Sequence, residues 1–105
     1  MASPALYILV KLWIHGGRET EFEAYERKAA RIMVRYGGAI ECAIRPSGAS
    51  SSDEPYEIHV LKFPSQARYE AYREDPERLS LNGERDSIIT RTDVLVGTAG
   101  PAYRS

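Results

Sequence analysis

Residues 6–38, LYILVKLWIHGGRETEFEAYERKAARIMVRYGG, decide the fold, because the hydrophobic period changes within them. Over Leu6 to Ile14 the period is two. Leu6, Ile8, Val10, Leu12 and Ile14 form one aliphatic parity, and Tyr7, Leu9, Lys11 and Trp13 form a mixed one. Side chains that alternate between two faces make a strand. After Gly16-Gly17 the period lengthens. Phe22, Tyr25, Ala29, Ile32, Met33 and Tyr36 fall at helical spacing and form one apolar stripe. Charge order agrees, with Glu19, Glu21, Glu23 and Glu26 early and Arg27, Lys28, Arg31 and Arg35 late, which complements the helix dipole. Gly37-Gly38 supplies the residue type that closes helices. The sequence predicts a strand, then a helix over 18–36.

The same reading extends downstream. Ala39 to Arg45 reads as a second strand, with Ile40, Cys42 and Ile44 on one face. A proline-bounded, serine-rich stretch over 46–55 reads as a mobile loop. Tyr56 to Phe63 reads as a third strand, with Ile58 and Val60 facing one way and Glu57, His59, Leu61 and Phe63 the other. Ser65 is a good cap for a second helix to about Asp75, carrying Tyr69 and Tyr72 on its inner side. Asp75-Pro76 reads as a fresh cap with proline at the first helical position. A weaker helical segment follows, broken near Asn82-Gly83, and Thr92 to Gly97 reads as a last strand with Val94 and Val96 inward. The order is β-α-β-β-α-β, an α+β ferredoxin-like sandwich over residues 5–98 with a loose tail over 99–105.

Both helices of such a fold lie on one side of the sheet. The aliphatic parities are expected to face them. The other face is then expected to show Tyr7, Leu9, Trp13, Ala43, Leu61 and Phe63, studded with Lys11, Glu41, Arg45, Glu57 and His59. A face this apolar calls for a cover, and the simplest is the same face of a second copy, with Lys11 and Glu41 as a candidate pair in the closed barrel.

Composition sets outer limits. A chain of 105 residues with 43% apolar and 28% charged residues has room for one core. A net charge of −1 gives no footprint for nucleic acid or an anionic membrane. No apolar run approaches the ~20 residues of a membrane span. Met1-Ala2-Ser3-Pro4-Ala5 carries no charged leader and reads as mature structure. A single cysteine excludes an internal disulfide and fits a reducing, cytoplasmic setting. With two histidines and no Cys/His cluster, no metal and no cofactor are expected.

Arg35-Tyr36-Gly37-Gly38 before a strand, Leu61-Lys62-Phe63-Pro64-Ser65 at a strand-to-helix junction, and Asp75-Pro76-Glu77 as a proline-led turn give the chain a family look. It resembles the dimeric α/β-barrel superfamily over about residues 5–98. It is similar to small stand-alone members of unknown function, and more loosely to NIPSNAP-like and antibiotic-biosynthesis-monooxygenase-like domains. The resemblance implies a homodimer and admits cofactor-independent oxygenases, isomerases, haem-handling enzymes and members with no known activity. No catalytic motif of those groups is matched, so no catalytic residue is carried over.

Candidate residues follow from chemistry alone. His59 is the proton-transfer candidate, since an imidazole titrates near neutrality (unperturbed pKa ~6.5). Its alternative is a hydrogen-bonded histidine in the dimer interface. Tyr7, Trp13, Arg45, Tyr69 and Tyr72 are the ligand-binding candidates, apolar bodies with polar tips, or else core and interface aromatics. His15 reads as a solvated loop residue. Cys42, on the aliphatic parity, reads as a buried small hydrophobe. The charges from Glu19 to Arg35 read as a solvated face, and the mixed run from Asp75 to Asp86 supplies no metal site. Two functional readings stand. One is a homodimeric small-molecule-binding or accessory domain. The other is a cofactor-independent oxygenase or isomerase acting on a small aromatic or polyketide-like substrate.

Overall fold

The computed structural model describes residues 4–48 and 53–103. The first residues of the leader, the middle of the serine-rich loop (49–52) and the last two of the tail lie outside them. The elements are β1 (Leu6–Ile14), α1 (Glu19–Val34), β2 (Ala39–Ile44), β3 (Glu57–Phe63), α2 (Gln66–Arg73), α3 (Pro76–Ser80), α4 (Asn82–Ile88) and β4 (Ile89–Gly97). The strands form one four-stranded antiparallel sheet in the order β2-β3-β1-β4. This is the ferredoxin-like arrangement expected from the sequence, with helices on one face and the sheet open on the other.

The helix stripe does what its spacing predicts. Phe22, Tyr25, Ala29, Ile32 and Met33 are buried against the sheet. The helix closes with Gly37 at φ 75°, the Gly37 N–H on Val34 O and the Gly38 N–H on Met33 O at 2.9 Å. Gly38 is required for packing as well. A Cβ there would stand 2.3 Å from the Phe63 ring, which is fully buried. Further on, Ser65 and Asp75 cap α2 and α3 as their positions suggest. Ser65 Oγ accepts from the Arg68 N–H, and Asp75 Oδ1 accepts from Glu77 and Arg78. Asp75 is itself buried and takes the Tyr36 hydroxyl at 2.5 Å, so α3 is fastened to the end of α1.

The faces of two strands differ from expectation. β1 pairs with β3 so that Leu6, Ile8, Val10 and Leu12 stand opposite Phe63, Leu61, His59 and Glu57. Directly opposed residues share a face, so Glu57, His59, Leu61 and Phe63 lie beneath the helices, and all four are buried. Ile58 and Val60 take the open face instead. The aromatic and aliphatic bulk of Phe63 and Leu61 fills the helix side, and the two polar residues go in with them. In β2 a bulge between Ile40 and Cys42 flips the parity. Ile40 packs on the core, while Cys42 and Ile44 turn to the open face and Cys42 is exposed. Ala43 follows His59 to the helix side, and so does Arg45, which reaches Glu23 on α1. Glu41 ends 4.0 Å from Lys62, not beside Lys11. β4 begins at Ile89, earlier than expected, because Ile89 pairs with Ile14 past an irregularity at Trp13/Ile14.

Val94 and Val96 do point to the helix side, yet they are 47% and 54% exposed. The short helices α2 to α4 stand back from this part of the sheet and leave a cleft over it. The open face carries Leu9 opposite Leu95, with Tyr7, Trp13, Ile58 and Val60 beside them. Leu95 is 68% exposed.

Candidate functional site

The cleft between sheet and helices has a volume of about 420 Å³. Its floor is the sheet face bearing Val10, His59, Leu61, Val94 and Val96, and its walls come from α1 and from α2 to α4. At its inner end three titratable groups meet. β3 sets Glu57 and His59 two residues apart on one face, and α1 lowers Glu26 onto them. Phe22, one turn earlier on α1, lays its ring 6.1 Å from the imidazole. His59 is only 3% exposed.

The geometry assigns the imidazole a direction. His59 Nε2 lies 2.5 Å from Glu57 Oε2, and Nδ1 lies 3.7 Å from Glu26 Oε2. The other oxygen of Glu57 accepts from Arg45 Nε at 2.8 Å, and Arg45 Nη2 bonds Glu23 at 2.7 Å. Burial works to raise the Glu57 pKa. The hydrogen bonds and charges of Arg45 and His59 outweigh it and hold the carboxyl below its ordinary value. Glu57 is therefore an anion and an acceptor. In its neutral form the imidazole beside it keeps its proton on Nε2 and turns the Nδ1 lone pair toward Glu26 and the cleft. Glu26 has the opposite environment. Burial first, and the Glu57 charge with it, push its pKa up to about 7 against the opposing charges of His59 and Arg85. Two carboxylates held apart in this way can take different roles in one proton transfer. The Tyr25 hydroxyl, pushed up to about 12 chiefly by burial, stays protonated beside them as a donor.

The structure divides the residues singled out from the sequence. His59 sits on the cleft floor, and Tyr69 and Tyr72 line its wall. Arg45 stands behind Glu57 and positions it without lining the cleft. Tyr7 and Trp13 are on the open face, Tyr7 under Lys62 and Trp13 under the Arg91 guanidinium with its indole N–H on Asp53 O. His15 is exposed in the turn after β1. Sequence reasoning missed Glu26, Arg78 and Arg85, which all line the cleft. Glu26 was legible in principle. It lies four residues after Phe22 and three before Ala29, on the apolar stripe and not on the solvated face. Among the described residues no group of three or more His, Cys, Asp or Glu side chains is arranged to hold a metal ion. No helix among them is long and apolar enough to cross a membrane.

No family model matches the chain, and no curated protein matches its sequence. Solved structures do share its shape. It is similar to SnoaB, a cofactor-independent oxygenase from Streptomyces nogalater, at 13% identity and a TM-score of 0.74 over 98% of this chain and 100% of that one. A protein of unknown function from Rhodopseudomonas palustris matches at 14% identity and a TM-score of 0.79 over 95% of this chain and 85% of that one. A dabb family protein with a ferredoxin-like fold from Mesorhizobium loti matches at 15% identity and a TM-score of 0.66 over 94% of this chain and 100% of that one. Likeness at this level of identity shows the fold alone, a ferredoxin-like one.

The raised pKa of Glu26 has a consequence for stability. The folded protein holds this proton up to about pH 7, whereas an unfolded chain releases it near 4.5. Native protein thus binds more protons than unfolded chain in that window, and stability falls as pH rises through it. Glu26→Gln removes the effect. In thermal unfolding across about pH 5 to 8 the variant is expected to gain on the wild type as pH rises, by roughly 2–3 kcal/mol in all. A wild-type-to-variant difference that is constant across the range contradicts the placement of Glu26.

Proposed function

We propose that this chain is a homodimeric small-molecule-binding domain whose cleft takes a proton from a small aromatic or polyketide-like substrate, in the manner of a cofactor-independent oxygenase or isomerase. The observation that carries the reading is the Glu57–His59–Glu26 array at the inner end of a cleft with an aliphatic floor and a polar wall. Glu57 orients the imidazole, His59 Nδ1 accepts the substrate proton, and Glu26 holds or returns it, with a pKa suited to neutral pH. Val94 and Val96 provide an exposed apolar bed for a ring, and Tyr69 and Tyr72 stand in the wall beside it. The carbanion so formed has two fates. Reprotonation at another carbon is an isomerisation. Addition of dioxygen gives a hydroperoxide that loses water, so that CH₂ and O₂ become C=O and H₂O with no cofactor. The oxygenase among the fold neighbours favours the second fate. Neither step asks more of the protein than a base, a pocket and exclusion of water. The exposed free Cys42 fits work in a reducing cytoplasm.

Anthrone, an aromatic with an acidic methylene, tests the chemistry. Without oxygen, in deuterated buffer, the protein is expected to accelerate methylene exchange. In air it is expected to consume one dioxygen per anthraquinone formed. Glu26→Gln and His59→Gln are each expected to slow exchange by about 100-fold or more. Exchange no faster than in buffer removes the proton-transfer role and leaves a binding domain.

The homodimer is proposed through the open sheet face, where Tyr7, Leu9, Trp13, Ile58, Val60 and Leu95 form one apolar surface. Sedimentation of the wild type is expected to give a dimer, and Leu9→Glu with Leu95→Glu a folded monomer. A wild-type monomer, or a double variant that stays dimeric, contradicts this face as the interface.

A further inference from the structure

Arg78 and Arg85 form a second chemical feature of the cleft, beside the proton-transfer array. Both are half-buried and both line the cleft. Arg78 comes from α3. Its Nη1 donates to the Arg73 carbonyl at 3.0 Å, and its guanidinium lies 5.3 Å from the Tyr72 ring centroid. Among the described residues no ion pair is made by Arg78. Arg85 comes from α4. Its Nη2 donates to Thr92 Oγ1 on the floor strand at 2.5 Å, and its only ion-pair contact among the described residues is Asp86 at 3.9 Å, itself 77% exposed. These contacts fix each guanidinium while leaving donors of its five-donor fork unused.

Half-burying two cations without matched carboxylates is unfavourable unless something compensates. Glu26 is the sole carboxylate of the cleft lining, and its proton is retained up to about pH 7. The cleft thus carries surplus positive charge on one side of an apolar bed, flanked by tyrosine rings. Arg73 adds a third guanidinium at the mouth, over the Tyr69 ring at 5.8 Å. It and Arg78 also border a shallower outer groove that carries Glu70 and Glu74.

We infer that Arg78 and Arg85 bind the carboxylate of an aromatic acid whose ring lies on Val94 and Val96 and whose acidic proton faces His59. A carboxylate matches the guanidinium fork with two parallel hydrogen bonds, and an apolar floor matches a ring and not a phosphate. This inference rests on the reading of the cleft as the substrate site. It names the class of substrate that site takes.

Calorimetric titration with 1-hydroxy-2-naphthoate and its neutral carboxamide tests it. The wild type is expected to bind the acid at least about 10-fold more tightly than the amide, as one charge-assisted hydrogen-bond pair allows. Arg78→Met and Arg85→Met retain the apolar stem of the side chain. Each is expected to weaken the acid about 10-fold and leave the amide within about 2-fold. Arg78→Lys, which keeps the charge and loses the fork, is expected to fall between. Equal binding of acid and amide by the wild type, equal loss of both in the methionine variants, or binding of neither at millimolar concentration overturns the inference. Acid preference that persists in Glu26→Gln, with no anthrone exchange in the wild type, leaves the anion site standing and removes the proton-transfer reading. Anthrone exchange with no acid preference does the reverse.

Discussion

The antiparallel register of β1 against β3 sets Leu6 opposite Phe63, Ile8 opposite Leu61, Val10 opposite His59 and Leu12 opposite Glu57. Opposed side chains share a face, so this pairing alone decides which half of β3 goes under the helices. A slip of one residue would exchange the whole set for Ile58, Val60 and Lys62. Phe63 makes the slip costly. It is fully buried, sits tight against Gly38 and packs on Tyr69 and Tyr72 with ring centroids 5.2 and 5.4 Å away. His59 and Glu57 are carried inward by the same strand. The fold tolerates them because each finds a partner, and the residue that supplies the outermost partner is Arg45.

That chain of partners runs from solvent to cleft as Glu23, Arg45, Glu57, His59 and Glu26. Its ends differ in solvation. Arg45 and Glu23 are about half exposed, whereas the side chains of His59 and Glu26 are 4% and 15% exposed. The exposed end fixes the ionisation of Glu57. The buried end leaves Glu26 undecided near neutrality. A buried ionic cluster is a weak source of stability, and under the proposed proton transfer this one pre-orients a base. The apolar stripe of α1 contributes directly, since Phe22 excludes water from the imidazole one turn before Glu26 arrives.

Much of the architecture was legible in the residues. The change of period across Gly16-Gly17, the Gly37-Gly38 closure and the Ser65 and Asp75 caps placed the elements and their order. The faces of β2 and β3 were not legible, and for definite reasons. In β3 both parities carry large apolar residues, Ile58 and Val60 against Leu61 and Phe63, so alternation gives no sign. Polar Glu57 and His59 tip a sequence reading toward the wrong side, because their partners Arg45 and Glu26 come from elsewhere in the chain. In β2 a bulge at Glu41 reverses the parity without any glycine to mark it. The cleft arginines were hidden in a mixed-charge run whose inward members depend on how three short helices fold back. His59, Tyr69 and Tyr72 were singled out by their chemistry alone, and the structure places all three on the cleft. Tyr7 and Trp13 share that chemistry but belong to β1's other parity and point away from the cleft.

The measurement that bears most directly on this account is a carbon-detected NMR titration of the glutamate side-chain carboxyls, with Glu26 assigned by its absence in Glu26→Gln. The account predicts that the Glu26 carboxyl titrates near pH 7, displaced from its ordinary value of 4.5. A Glu26 midpoint in the ordinary range would mean that α1 does not press this carboxyl onto His59, and the proton-transfer array would not exist as described.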